Sequence, residues 1–256
     1  MALNDYLQQR LKRRSPLLMT HAVAGCPSLA ANWRMLELMD EAGVDLVELQ
    51  FPFSEPIADG PLFIRANQQA LEQGLHRDQY FEFMARARQA FSFRLLFMGY
   101  YNNVYRLGHE AFCRRLAEAG ADGFIIADLP PQLGGDLETR AARHHLDVIH
   151  LMTPNNTDAR LNEIAQGAGG FVYCVARRGV TGRSTELDNS IRDYLQRCRK
   201  ATTLPLAVGF GIRSAAQVKQ LQGVADIAIV GTACLDVWER EGEKGYLRFL
   251  KKMTSI

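Results

Sequence analysis

Two acidic residues occur where folding alone does not require them. Glu48 lies in the apolar stretch 44–50, and Asp59 lies in the following loop, beside prolines and a glycine. A carboxyl group that faces the inside of a sheet loses hydration, which raises its pKa and lets it donate and accept protons near neutral pH. Glu48 can instead point outward or pair with a buried arginine, and Ala-Asp-Gly is also an ordinary turn. The pair is nevertheless a candidate for acid–base catalysis.

Glycines and hydroxyl-bearing residues follow three later apolar stretches. Glycine lets main-chain N–H groups approach the oxygens of an anion, and the N-terminus of a helix adds further donors. A single glycine is explained equally well as a turn residue. Their shared position after strands predicts one phosphate site, built from Thr181, Gly182, Gly211, Gly231 and Thr232.

Short apolar stretches that alternate with longer amphipathic ones predict strands covered by helices. Eight strands are predicted, at Leu17–Val23, 44–50, Arg94–Gly99, 123–127, 147–152, 170–176, 204–208 and Ile227–Val230. Helices are predicted at 30–42, 65–72, 78–90, 109–119, 135–145, 158–166, 190–200 and 214–220. The related phrases EAGVD at 41–45 and EAGAD at 118–122 place glycine where a helix ends before a strand.

Eight consecutive strand–helix units close naturally into a (β/α)₈ barrel, a fold that typically uses about 250 residues. An open doubly wound sheet is less consistent with the sequence, because no G-x-G-x-x-G motif follows the first predicted strand. Since no linker-like segment divides the chain, residues 1–256 are predicted to form one TIM-barrel domain. Catalytic residues of such barrels lie at the carboxyl ends of the strands, where both acids and the glycine motifs fall.

Composition excludes several classes of function. The 30 Lys and Arg residues nearly balance the 28 Asp and Glu residues, so a nucleic-acid partner is not expected. The sequence shows neither a leader-like start nor an apolar run of about 18 residues, which predicts a cytoplasmic protein without a membrane partner. Five widely separated cysteines without a C-x-x-C motif predict reduced thiols and no metal site.

The stretch VELQFPFSEPIADGP at 47–61 closely resembles the signature of the tryptophan synthase α-subunit family, usually ELGxPFSDPxADGP. Other segments resemble family motifs in the same order and extend the resemblance over nearly the whole chain. These are AGCP at 24–27, MGYYN at 98–102, ADLP at 127–130, GFVY at 170–173, RGVTG at 178–182, GFGI at 209–212 and VGTA at 230–233.

The resemblance implies a lyase that cleaves indole-3-glycerol phosphate to indole and glyceraldehyde 3-phosphate without a metal or an organic cofactor. It implies that Glu48 moves protons at indole C3 and at the side-chain hydroxyl, while Asp59 accepts the indole N–H and stabilises positive charge. Three aromatic residues match pocket positions, although an isolated aromatic is more often part of a core. These are Tyr100, Tyr173 and Phe210.

Several residues depart from the family pattern. Gln50 replaces a glycine, Glu55 an aspartate and Ile64 a glutamine, and His21 lies where an apolar or aromatic residue is common. Because these changes cluster where the family contacts its pyridoxal-dependent β subunit, that partner is expected less firmly than the chemistry. A stand-alone lyase, a weakly active subunit that regulates a β-type partner, and a lyase or isomerase for a related aryl or sugar phosphate remain as alternatives.

Overall fold

The computed structural model describes residues 2–176, 188–209 and 211–256, and within these ranges nine parallel strands form one sheet. The neighbours follow the order β5-β4-β3-β2-β1-β9-β8-β7-β6. The strands are β1 Leu17–Val23, β2 Leu46–Gln50, β3 Arg94–Gly99, β4 Gly123–Ile126, β5 Asp147–Ile149, β6 Leu151–Met152, β7 Val172–Val175, β8 Leu206–Gly209 and β9 Ile227–Val230.

Helices separate most of these strands, as the amphipathic pattern predicts. They are α1 Leu3–Leu11, α2 Leu29–Glu41, α3 Pro61–Glu72, α4 Arg77–Ala90, α5 Tyr101–Leu107, α6 His109–Glu118, α7 Leu137–Arg143, α8 Asp158–Gly167, α9 Asn189–Ala201, α10 Ala215–Gln220 and α11 Thr232–Thr254, with a 3₁₀ turn at Pro131–Leu133. The eight helices predicted above do not include α1, α5 and α11, and α11 is kinked at Gly242, where φ is 61°. No helix in the described part of the chain has the length and apolar character needed to cross a lipid bilayer.

The predicted fifth strand is present as two short pieces that meet at His150. The first piece, β5, pairs with β4, and the second, β6, pairs with β7. The carbonyl oxygen of His150 still accepts the Tyr173 N–H at 3.0 Å, so pairing continues across the interruption. The nine observed strands therefore correspond to the eight predicted ones, with the fifth divided in two. The two ends of the sheet meet in a nearly closed barrel.

Alternate residues of each strand point into the barrel and fill its lower layers with apolar side chains. The inner cluster includes Leu17 and Met19 of β1 and Leu46 of β2, and α1 covers its lower end with Leu3 and Leu7. The other faces of the strands pack against the surrounding helices in a second, larger cluster. Polar residues further along β1 and β2 consequently face the upper end of the interior.

A buried carboxylate ties α1 to the amino-terminal end of the barrel. Asp45 precedes β2 and accepts hydrogen bonds from Arg10 Nε at 2.8 Å, from Arg14, and from the Leu18 N–H at 2.9 Å. Both oxygens of this fully buried side chain are therefore paired. Residues at this end of a (β/α)₈ barrel stabilise the fold and take no part in its chemistry.

We expect Asp45→Asn to lower the free energy of unfolding by about 2–3 kcal/mol, because two arginines lose their counter-charge and one buried acceptor becomes a donor. Urea denaturation followed by circular dichroism measures the change. Asp193→Asn on the exposed side of α9 is the matched control. A loss for Asp45→Asn no larger than that of the control would contradict this role.

Candidate functional site

The parallel register between β1 and β2 brings three polar side chains together at the upper end of the barrel. His21 pairs with Glu48 across the two strands, and Val23 pairs with Gln50. Glu48 and Gln50 follow the inward-facing Leu46 at two-residue intervals, so all three share one face of β2. Glu48 therefore points into the barrel, as a role in acid–base catalysis requires.

Glu48 is almost completely buried, with 2% of its side chain exposed. Its Oε1 atom has no hydrogen-bond partner among the described residues, and His21 Nδ1 lies 3.6 Å away. Burial, reinforced by the negative charge of Asp59, raises the pKa of Glu48 to about 8. The carboxyl group is thus able to exchange a proton near neutral pH.

Asp59 is held in the loop between β2 and α3 by both main-chain and side-chain contacts. Its N–H donates to the Pro56 carbonyl oxygen at 2.9 Å, and α3 begins immediately afterwards at Pro61. Its Oδ2 atom accepts from Gln50 Nε2 at 2.8 Å and Asn67 Nδ2 at 3.3 Å. Burial raises the pKa of Asp59, and hydrogen bonds from Gln50, Tyr100 and Asn67 oppose that rise.

Tyr100 contacts the loop between β2 and α3 from inside the protein. Its hydroxyl accepts the Ala58 N–H at 3.2 Å and also hydrogen-bonds Asp59, while its ring stacks on Phe53 at a centroid distance of 5.1 Å. Tyr100 is fully buried and is not among the residues that line the cavity above it. The structure therefore gives this predicted pocket residue a supporting position behind Asp59.

Both carboxyl groups border one cavity of about 360 Å³. Tyr173 lines the same cavity, as predicted, and much of the remaining wall is apolar. The described lining residues are His21, Glu48, Ile57, Ala58, Asp59, Phe63, Met98, Ile125, Ala127, Leu151, Thr153, Tyr173, Val175, Gly209, Gly211, Ile212, Ile229, Gly231 and Thr232. A hollow of this size with few polar groups suits a flat aromatic ring.

The predicted glycines form the part of the rim next to β1. Gly211 has a φ of 78°, a conformation that favours glycine, and Gly231 immediately precedes α11, whose first residue is Thr232. All three line the cavity. The first N–H groups of a helix have no partner within that helix, and its N-terminus is the positive end of the helix dipole, so the start of α11 suits an anion. Three predicted ligand residues, Thr181, Gly182 and Phe210, lie outside the described residues.

Among the site residues that were missed in the sequence, Asn67 and Phe63 contact its polar side chains. Asn67 lies on the buried face of α3 together with Phe63, Ala66 and Ala70, and it contacts Asp59 directly. Phe63 stacks on His21 with a centroid distance of 4.3 Å. In the sequence, Asn67 could be noticed only as a single asparagine at helical spacing among apolar residues. That pattern does not by itself distinguish a functional residue from a structural one.

A (β/α)₈ barrel with two buried carboxyl groups and glycine turns at the carboxyl ends of its strands has the features of an enzyme active site. The family model described as "Tryptophan synthase alpha chain" matches residues 7–253. The chain belongs to this family.

Similar proteins include the tryptophan synthase alpha chain of Desulforapulum autotrophicum, which is 43% identical over 98% of this chain and 100% of that protein. The alpha chain of Desulfotalea psychrophila is 44% identical over 99% of this chain and 100% of its own length. A solved tryptophan synthase from Mycobacterium tuberculosis superposes with a TM-score of 0.93 at 30% identity, covering 100% of this chain and 98% of that one. A tryptophan synthase α2β2 complex from Pyrococcus furiosus gives a TM-score of 0.87 at 28% identity, covering 95% of this chain and 99% of that one.

We expect Glu48→Gln to stabilise the protein increasingly between pH 5 and pH 8. The pKa of this carboxyl is about 8 in the folded protein and ordinarily 4.5, so the folded state binds more protons in this window and loses stability as the pH rises. Glutamine removes that loss, and the gain approaches about 3–5 kcal/mol at the upper end. Urea denaturation at several pH values measures it, with the exposed Glu72→Gln as control. A pH-independent difference between Glu48→Gln and the wild type would contradict the raised pKa.

Proposed function

We propose that this chain cleaves indole-3-glycerol phosphate to indole and glyceraldehyde 3-phosphate by a retro-aldol reaction, as a carbon–carbon lyase. The observation that carries the proposal is that Glu48 and Asp59 border one cavity together with Gly211, Gly231 and Thr232. One carboxyl group, that of Glu48, matches the proton transfers of the reaction, the other, that of Asp59, matches the positive charge on the ring, and the glycine rim matches the phosphate.

Glu48 performs the proton transfers. Its protonated carboxyl donates a proton to C3 of the indole ring, which places positive charge on the ring nitrogen. The resulting carboxylate then accepts the proton of the side-chain hydroxyl next to the ring. As that oxygen becomes a carbonyl, the bond to C3 breaks and its electron pair neutralises the ring nitrogen. Glu48 ends the cycle protonated, and its raised pKa suits a group that must both give and take a proton.

Asp59 stabilises the charged ring. Its hydrogen bonds from Gln50, Tyr100 and Asn67 favour the ionised form, so a negative charge faces the cavity when the ring becomes positive. Because the donors are side chains already fixed in place, little reorganisation accompanies the reaction. The carboxylate accepts the indole N–H, which also orients the ring within the apolar walls formed by Met98 and Ile125.

The phosphate binds at the rim formed by the loops after β8 and β9. The described lining residues there include neither lysine nor arginine, so its charge is met by main-chain N–H groups, the dipole of α11 and the hydroxyl of Thr232. Thr181 and Gly182 are proposed to contribute further donors. Tyr173 and Phe210 are proposed to contact the substrate.

We further propose a tryptophan synthase β subunit as partner. Three large apolar side chains are exposed after consecutive strands, and together they form an exposed apolar sector: Ile57 after β2, Tyr105 on α5 after β3, and Leu133 after β4, exposed by 72%, 71% and 69%. Neighbouring strands place these side chains on adjacent parts of the same end of the barrel. Exposed apolar residues gathered at one sector are typical of a protein–protein interface.

We expect Glu48→Gln to lower kcat for indole formation by about 10²–10⁴-fold, because the group proposed to exchange both protons is lost. Asp59→Asn should lower kcat by about 10²–10³-fold, because the positive ring loses its counter-charge. Indole release from indole-3-glycerol phosphate is measured on purified protein with and without a β subunit, with Glu72→Gln as control.

The pattern of activity separates the alternatives. Release by the chain alone supports a stand-alone lyase, and release only with the β subunit supports a subunit of a complex. A folded protein that forms no indole in either case, yet raises the activity of the β subunit, would favour a regulatory role. Absence of both effects would direct the search to a related aryl or sugar phosphate.

We expect the double substitution Tyr105→Asp with Leu133→Asp to weaken binding of a β subunit by at least about 100-fold, because two charges replace large apolar contacts at the interface. Neither residue lines the cavity, so activity without partner should be unchanged. Isothermal titration calorimetry measures the affinity. Gln220→Asp with Gln222→Asp, at the other end of the barrel, adds the same two charges at exposed positions as control. Unaltered binding by the double variant would exclude this sector.

A further inference from the structure

His21 and Gln50 connect the two carboxyl groups of the site through a chain of side-chain contacts. Gln50 lies between Asp59 and His21, and His21 lies between Gln50 and Glu48. We propose that His21 and Gln50 are positioning residues that hold Glu48 protonated while Asp59 is ionised. The proposal rests on the proposed function, and it assigns a task to two residues that depart from the family pattern.

The chain of contacts is anchored on the main chain through Asn67. The Phe53 N–H donates to Asn67 Oδ1 at 2.9 Å, and Asn67 Nδ2 donates to the Phe63 carbonyl oxygen at 2.8 Å. A main-chain N–H can only donate and a carbonyl oxygen can only accept, so these two contacts fix which end of the Asn67 amide is which. Its oxygen faces Gln50.

The orientation of Asn67 determines the orientation of Gln50. The Gln50 amide end that approaches Asn67 Oδ1 at 3.3 Å and Asp59 Oδ2 at 2.8 Å must be its NH₂ group, because both neighbours are acceptors. The oxygen end then faces His21 Nε2 at 2.9 Å. That oxygen can only accept, so Nε2 of His21 carries a hydrogen.

A neutral His21 with its hydrogen on Nε2 presents a lone pair at Nδ1. This lone pair faces Glu48 Oε1 across 3.6 Å, and that oxygen has no other partner among the described residues. An ionised Glu48 would place a buried negative charge against an acceptor. A protonated Glu48 instead directs its O–H toward His21 Nδ1. A small movement of the two side chains toward each other brings these atoms within hydrogen-bond distance. Burial also keeps the ring neutral, because it lowers the pKa of His21 to about 4.

The other described groups near Glu48 and His21 either favour a protonated Glu48 as well or are uncharged. Asp59, from the β2–α3 loop, adds negative charge that disfavours a second carboxylate. Tyr173 on β7 stays neutral, because burial raises its pKa. Phe63 of α3 stacks on the imidazole, and Met98 and Ile229 on β3 and β9 are apolar. The proton of the Glu48–His21 pair therefore resides on the carboxyl group, ready for transfer to indole C3.

Nuclear magnetic resonance of the free protein tests the tautomer without any turnover. Two-bond ¹H–¹⁵N correlation spectra of histidine-labelled protein at pH 7 should show His21 as the neutral Nε2–H form. Gln50→Met keeps the side-chain volume but removes the acceptor, so it should shift His21 toward a mixture of tautomers. Gln68→Met, at an exposed position of α3, should leave the His21 signals unaltered. An Nδ1–H tautomer or an imidazolium in the wild type would overturn the proposal.

His21→Phe tests the effect on Glu48, since phenylalanine can keep the stacking on Phe63 while removing both ring nitrogens. The carboxyl ¹³C titration of Glu48 should move to lower pH by about half to one unit, because the protonated form loses its acceptor. The alkaline limb of the pH profile of kcat/KM for indole formation should move to lower pH by the same amount. An unshifted Glu48 titration in the folded variant would overturn the proposal. A shifted titration without indole formation in the wild type would instead count against the proposed substrate.

Discussion

The site depends on the cost of burying the carboxyl group of Glu48, whose Oε1 atom has no hydrogen-bond partner among the described residues. Glu48 is buried above inward-facing apolar layers, so its charge is poorly solvated, and the neutral acid is the stable form over most of the physiological range. A partner that satisfied this oxygen permanently would remove its ability to exchange protons. The favourable packing in the rest of the barrel offsets the free-energy cost of burying this group.

Strand β2 shows how the two ends of the barrel divide stability and chemistry. Asp45, just before the strand, is buried but accepts hydrogen bonds from two arginines and a main-chain N–H. Glu48, three positions later, is buried with Oε1 unpaired among the described residues. The two acids differ in their surroundings and not in their chemistry. The first therefore fixes the barrel, whereas the second is available for reaction.

Much of the fold followed from periodicity, because each apolar stretch had the length of a strand and each amphipathic one the length of a helix. The strand split at His150 was not predictable, since it depends on pairing with two different neighbours. The sequence left open whether Glu48 points inward or outward, and the register of β2 with β1 decides it. The support of Asp59 by Asn67 and Tyr100 was not predictable either, because contacts between a loop, a helix and another strand arise only when the barrel closes.

The departures at His21 and Gln50 are best understood as one change. With an apolar residue at position 21, the Gln50 oxygen would be buried without a donor, and with glycine at position 50 the His21 N–H would be buried without an acceptor. Either arrangement leaves a polar group unpaired at a cost of about 1–3 kcal/mol. Together they satisfy each other, because the Gln50 oxygen accepts from His21 Nε2 at 2.9 Å, while the Gln50 NH₂ group donates to Asp59 and Asn67. The pair therefore makes structural sense only as a unit, and that unit lies between the two acids.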